Sequence, residues 1–342
     1  MCHRERNEVE RSTLFQLGLL RRRFKNVPPC LPTRQARNDT NNLSDITLRF
    51  FTINRMLRFY IYKFGQFCVH HLPLFLAYRI ANILSDLHYY FSFRDRRFVK
   101  NNLKIILQSQ ENIPFLAREV FRNFGKYLVD FFRMQKTLDG NYIKQFVKIK
   151  NIERFEEALR KKKGAIMLTA HIGNWELGAA VLSLLGYPVV AVVLPHKERP
   201  VNDLFNDQRQ TWGITIVSSN GALRKCLESL KEGKLVALVA DRDFTSSGLE
   251  MDFLNKKALI PKGAAVFCAK TGAPIIPIFF IRNGDDSFTL EFEELIYSPE
   301  IQEDTVSEEV LLAIMKKYTA VIENKIRQYP TQWLMFREFW IK

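Results

Sequence analysis

From residue 163 onward the apolar positions fall into short, nearly continuous runs separated by amphipathic stretches. Ala165–Ala170, Val189–Leu194, Ile214–Val217, Leu235–Ala240 and Ile275–Phe280 are such runs. They predict strands buried on both faces. Between them, Trp175–Leu185, the polar segment carrying Arg199, Asn202 and Arg209, Gly221–Leu230 and Gly263–Lys270 predict helices. Phe288–Phe292 alternates and predicts an outer antiparallel strand. Residues 307–327 predict a long amphipathic helix with Val310, Leu311, Ile314, Tyr318, Val321 and Ile322 facing inward. Strands alternating with helices imply an α/β fold over 151–342, its central, mostly parallel sheet covered by helices. Active sites in such folds gather beyond the carboxyl ends of strands. The loops starting at Thr169, Pro195, Asp241 and Phe280 are therefore the places to search.

Residues 49–150 carry a helical pattern instead. Phe59, Phe64 and Phe67 stand at helix-spaced positions, Pro73 interrupts, and Leu74–Phe93 resumes with many aromatics. Phe115–Phe132 has one apolar face, at 117, 120, 121, 124, 128, 131 and 132. The stretch Phe59–Tyr78 holds Lys63, two histidines and a proline, and so falls short of the roughly 20 apolar residues of a membrane span. A hairpin lying on or dipping into a membrane surface is expected. Arg94, Arg96, Arg97 and Lys100 beside aromatic residues suit headgroup depth. A helix pair packed on the main domain is the competing account. Residues 1–48, with Arg21–Lys25 and three prolines, predict a basic, partly disordered extension.

Charge narrows the list of partners. The chain has 51 Lys and Arg against 36 Asp and Glu, a net +15. An anionic membrane, a phosphate-bearing lipid or carrier, and nucleic acid all fit that sign. No zinc finger, helix-turn-helix or RNA-binding aromatic block supports nucleic acid. Cys2, Cys30, Cys68, Cys226 and Cys268 are scattered without zinc-like spacing, as free thiols in a reducing compartment would be.

The candidate chemistry lies in 168–179, LTAHIGNWELGA. His171 follows a buried strand and Glu176 opens the next helix. Within one regular helix, residues five apart sit about 140° apart. The pair can therefore meet only if His171 is on the loop. Gly173 frees the turn and Asn174 can cap the helix. Glu176 is then expected to hold Nδ1–H and leave Nε2 as a base that deprotonates a hydroxyl. Arg199 and Arg209, with Asn202 between them, offer guanidinium forks for phosphate or carboxylate. Arg242 could neutralise an oxyanion or bind an anionic headgroup, and Asp241 could fix that arginine or orient its loop. Phe253 could line an acyl pocket. Together with Asn174 these make the expected substrate-binding set. A metal site from His171, His196 and acids lacks a ligand cluster.

These blocks, in this order, resemble the lipid A biosynthesis acyltransferases, the lauroyl and myristoyl transferases of glycolipid assembly. They are also similar to the relatives that acylate phosphatidylinositol mannosides. His171 and Glu176 match the family's His-four-residues-acid motif. The segments around Arg199, Asn202 and Arg209, and from Asp241 through Phe253 to Gly263, match two further blocks. Pro330-Thr331-Gln332-Trp333 matches its Pro-x-Gln-Trp signature. Asp241-Arg242-Asp243 is more like the phosphatidylinositol mannoside enzymes, and Phe253-Leu254-Asn255 stands where Phe-Phe-Gly is usual. The resemblance implies a glycerol-phosphate-acyltransferase-like core. It implies acyl carrier protein or CoA thioester as co-substrate and donor, no other cofactor, and a glycolipid acceptor. The place of action would be the cytoplasmic face of the bacterial inner membrane. A different acceptor such as a phosphatidylinositol mannoside or lysophospholipid, a non-catalytic basic protein that binds membrane or nucleic acid, and a hydrolase are the rival readings.

Overall fold

The computed structural model describes residues 56–219, 221–243, 247–299 and 306–341. The basic extension read at 1–48 lies outside the described residues.

Four helices come first: α1 (56–71), α2 (Leu74–Phe91), α3 (Phe93–Leu107) and α4 (Ile113–Thr137). Pro73, which cannot donate a backbone hydrogen bond, separates α1 from α2. The inward face of α4 holds Ala117, Val120, Phe121, Phe131 and Phe132, all buried at the positions the period predicts. Asp86 on α2 receives hydrogen bonds from both Arg118 and Arg122 and locks α2 to α4. The outward faces of α1 and α2 are also mainly apolar, with Arg58, Lys63 and Arg79 exposed among them. Tyr60, Ile61, Phe64, Phe67, Ile83, Leu84, Leu87 and Phe91 are exposed. No described helix is long and apolar enough to cross a membrane.

The elements that follow are α5 (Gly140–Phe146), β1 (Val147–Lys150), α6 (Ile152–Arg160), β2 (Ala165–Thr169), α7 (Trp175–Leu184), β3 (Val189–Val193) and α8 (Arg199–Gln210). Then come β4 (Thr215–Ser218), α9 (Ala222–Lys231), β5 (Leu235–Val239), β6 (Leu249–Phe253), β7 (Lys256–Ile260), α10 (Gly263–Thr271), β8 (Ile275–Arg282), β9 (Phe288–Phe292) and α11 (Glu308–Gln328). The main sheet runs β1-β9-β8-β2-β5-β3-β4. Strands β8, β2, β5, β3 and β4 are parallel, and β9 returns antiparallel to β8. The fold is mixed α/β with a helix-covered central sheet.

Two features correct the sequence reading. Strand β9 is antiparallel but not outermost, because β1 pairs along its far edge. The four residues of β1, Val-Lys-Ile-Lys, are too short and too charged to stand out. Residues 249–260, read as loop, form the β6–β7 hairpin. Its two-residue turn sets Leu254 at φ 50° and Asn255 at φ 64°. Asn tolerates that left-handed conformation, as glycine would.

The register of β2 against β5 positions the site. Ala165 pairs with Leu235 and Thr169 with Val239, a constant offset down both strands. Carried two residues past the strand ends, that register sets His171 beside Asp241.

Candidate active site

His171 sits on the turn between β2 and α7, with a side chain 17% exposed. Two backbone features shape this turn. Gly173 has φ 63°, and a Cβ there would stand 2.1 Å from the carbonyl oxygen of Phe280. No other residue fits both the left-handed angle and that approach. Asn174 then caps α7, its Oδ1 accepting the Leu177 N–H at 3.1 Å.

The imidazole turns toward β5. Nδ1 lies 2.7 Å from Oδ1 of Asp241, and the His171 backbone N–H donates to Oδ2 at 3.0 Å. Asp241 is fully buried and also accepts the indole N–H of Trp333 at 2.8 Å. Burial alone would raise its proton affinity. The facing imidazole, the bonds from His171 and the Trp333 indole outweigh burial and hold the carboxyl below its ordinary value. With Nδ1 so engaged, Nε2 is the nitrogen left for chemistry. The ring of Trp175 meets the imidazole edge to face at 5.0 Å. Beyond Trp175 a small apolar cavity of about 40 Å³ lies between α7 and the sheet, lined by Met167, Thr169, Gly178, Ala237 and Phe280 among others.

Glu176 does not orient the imidazole, contrary to the expected pairing. The turn at Gly173 carries it away on α7, where Arg209 takes both carboxylate oxygens at 2.6 and 2.9 Å. That pair is largely buried, with side chains 11% and 12% exposed. Burial would lower the Arg209 pKa, and the Glu176 carboxylate reverses the effect and raises it. Arg209 is therefore a partner of Glu176 and not an open phosphate fork.

Below the turn lies a second buried ion pair. Arg282 at the end of β8 pairs with Asp130 of α4, which also accepts from Tyr78 at 2.6 Å and from Asn174 at 3.0 Å. Burial raises the Asp130 pKa above its ordinary value despite these donors. Asn174 is thus buried and consumed as cap and network member, which removes it from the substrate-binding set.

The last described segment closes the site. Leu334 donates to the His171 carbonyl at 2.7 Å, and Gly173 N–H donates to the carbonyl of Gln332 at 3.0 Å. The Gln332 amide makes two bonds with the backbone of Arg282, at 3.0 and 2.8 Å.

Residues 48–342 match the family described as bacterial lipid A biosynthesis acyltransferase. The chain belongs to that family. General acyl-transfer chemistry comes with membership. Within the chain's acyltransferase kin, the phosphatidylinositol mannoside acyltransferase of Mycolicibacterium smegmatis is 25% identical over 71% of this chain and 78% of its own length. That of Mycobacterium tuberculosis strain H37Rv is 25% identical over 64% of this chain and 68% of its own. The lipid A biosynthesis acyltransferase of Haemophilus influenzae is 25% identical over a shorter stretch, 39% of this chain and 42% of its own.

The remaining expected residues scatter. The Arg199 side chain is 93% exposed and pairs with Asp203 on its own helix. Asn202 accepts the backbone N–H of His196 at 3.1 Å and so braces the loop after β3. Arg242 is half-buried and follows Asp241 in the β5 loop. Phe253 is 1% exposed and packs on Trp333, Phe339 and Trp340, so it is core and not a pocket wall. Among the described residues no cluster of His, Cys, Asp or Glu is arranged to hold a metal ion.

Sequence reasoning missed the role of Asp241 toward His171 and missed Trp333 as a site residue. A signal for the first was present. The runs IMLTAH and VALVAD end alike, each with Ala before the polar residue. Adjacent parallel strands in register bring such matched endings together.

Proposed function

We propose that this chain transfers a fatty acyl group from an acyl carrier protein or CoA thioester to a hydroxyl of a phosphate-bearing membrane glycolipid. An acceptor of the phosphatidylinositol mannoside kind is favoured over a lipid A precursor, because the longer matches are to enzymes of that name. The observation that carries the chemistry is the lock of His171 Nδ1 on buried Asp241.

In this reading the acceptor O–H gives its proton to Nε2 of His171, and its oxygen attacks the thioester carbonyl carbon. The imidazolium that forms is stabilised by Asp241. A C–O bond forms, the C–S bond breaks, and the departing thiolate takes the proton back from Nε2. The ester and the free thiol leave a neutral imidazole for the next cycle. No covalent acyl-enzyme is needed. The apolar cavity beyond Trp175 supports placing the first carbons of the acyl chain there.

The exposed faces of α1 and α2 support work at a membrane surface, and we propose the cytoplasmic side of the bacterial inner membrane as its place. These faces are mainly apolar with exposed cations at Arg58, Lys63 and Arg79, and Asp86, the acidic residue of α2, is turned to Arg118 and Arg122. Exposed Arg94 and Arg97 stand just beyond Phe91 and Phe93, where anionic headgroups would meet them.

The test is incubation of purified protein with acyl-CoA or acyl carrier protein thioester and vesicles holding phosphatidylinositol mannoside, lysophospholipid or lipid A precursor. Mass spectrometry would read the products. One acceptor should gain an acyl group, and His171→Ala should abolish the gain in a folded protein. Free fatty acid as the sole product, or unchanged transfer by the variant, would overturn the reading.

A further inference from the structure

We propose that Trp333 is a positioning residue that holds the Asp241 carboxylate against His171 and thereby sets how basic the imidazole is. The kinetic part rests on the acyl-transfer reading; the structural part does not.

Asp241 ends in a soft carboxylate torsion, and nothing covalent fixes the plane of its oxygens. Three donors fix it. His171 supplies two, its ring nitrogen on Oδ1 and its backbone N–H on Oδ2. Both come from one residue on one turn. The indole N–H of Trp333 supplies the third, on Oδ2 at 2.8 Å, from a different part of the chain. Without it the carboxylate can follow the imidazole wherever the turn moves.

The indole cannot itself move. Trp333 is 2% exposed. Phe253, Phe339 and Trp340 surround it, with ring centroids at 6.3, 5.5 and 6.5 Å. Its backbone forms a bridge with Ile172, next to His171. On either side, Asn123 of α4 donates to the Thr331 carbonyl and Asn102 of α3 to the Met335 carbonyl, both at 3.0 Å. The strap from 331 to 335 is thus pinned to the helices, to β8 through Gln332, and to the catalytic turn.

The direction of the electrostatic effect follows. A hydrogen bond to a carboxylate stabilises its charged form and draws off part of the charge the neighbouring imidazole senses. Losing the indole N–H concentrates that charge on His171, which then holds its proton more tightly. Among the described residues, the other titratable groups on surrounding elements include Glu176, taken up by Arg209, the Arg282–Asp130 pair of β8 and α4, Tyr127 of α4, Arg242 and Asp243 after β5, and Arg337 and Glu338 beyond the strap. Replacement of the indole leaves all of them in place.

Two replacements test this. Trp333→Phe removes the N–H and some bulk. Benzothienylalanine at 333, with sulfur where the indole has N–H, keeps the shape. Circular dichroism confirms folding, and NMR of labelled histidine follows the His171 imidazole through pH. Its midpoint should rise by about half a unit to one unit in both variants. The rising limb of kcat/KM against pH should move up by the same amount, so the loss of rate at pH 7 shrinks at alkaline pH. A purely structural tryptophan predicts a loss of rate that is the same at every pH and an unmoved NMR midpoint. An unmoved midpoint in folded benzothienylalanine protein would overturn the proposal. A raised midpoint in a protein that acylates none of the acceptors would uphold it and sink the acyl-transfer reading instead.

Discussion

Replacing Asp241 with Asn separates the two carboxylates that could serve His171. The Asp241 oxygens receive three N–H groups. An amide has one oxygen and one NH2. If that oxygen keeps the His171 backbone N–H and the Trp333 indole, which share Oδ2, the NH2 must face Nδ1. Nδ1 then becomes an acceptor, its proton moves to Nε2, and the base is blocked. The lost charge adds to this. At about 4 Å between charge centres and an effective dielectric near 20, Asp241 stabilises the imidazolium by about 4 kcal/mol. That corresponds to about 10³-fold in rate. Asp241→Asn should therefore lower kcat by about 10³-fold or more while the protein stays folded. Glu176→Gln should behave in the opposite way. It leaves the Arg209 guanidinium buried without its countercharge, a loss of about 3 kcal/mol in stability. The fraction that remains folded should turn over within about tenfold of the parent. Single-turnover acylation at matched folded concentration, with thermal melts alongside, makes the comparison. A Glu176→Gln protein that is folded yet 10³-fold slow, beside an active Asp241→Asn protein, would refute the assignment of the imidazole to Asp241.

Two further outcomes concern the helices. Ile83→Asp with Leu87→Asp sets two carboxylates on the exposed face of α2 and should cut co-sedimentation with anionic vesicles about tenfold or more, while acylation of a short, soluble acceptor persists; unchanged co-sedimentation would remove α1 and α2 from the docking face. Asp86 is held well below the usual carboxylate range, first by its hydrogen bond from Arg118 and then by Arg122 against the opposing effect of burial. A carboxyl depressed on folding contributes stability that is present above its unfolded pKa of about 3.9 and is lost as pH falls through the folded value. Asp86→Asn should accordingly lower Tm at pH 7, and the deficit should shrink as pH falls below about 4 while part of it persists at pH 2–3, as read by calorimetry.

The strands and helices of the sheet were legible because each apolar run has the length and flanking turns of a buried strand. The inward faces of α4 and α11 followed from helical period: Ile314, Tyr318 and Ile322 are buried where spacing sets them. The β6–β7 hairpin was not legible, since Leu254 and Asn255 turn the chain without the glycine that signals such a turn. His171 was legible from its place after β2. Its partner was not, because spacing along the chain favours an acid five residues away over one seventy residues away. Only the register of β2 on β5 makes the distant acid the near one. Trp333 was visible as part of a signature, but its use depends on the path of the strap, which no local pattern encodes.

That path has a consequence for biosynthesis. The donor that completes the environment of Asp241 is added to the growing polypeptide after the whole sheet has been made. A nascent chain that has released β2, β5 and β8 holds the histidine and the aspartate but not the clasp over them. Competence for turnover should thus arise late, in step with docking of the strap. A proteolytic cut between α11 and residue 331 should silence turnover while sparing most of the secondary structure.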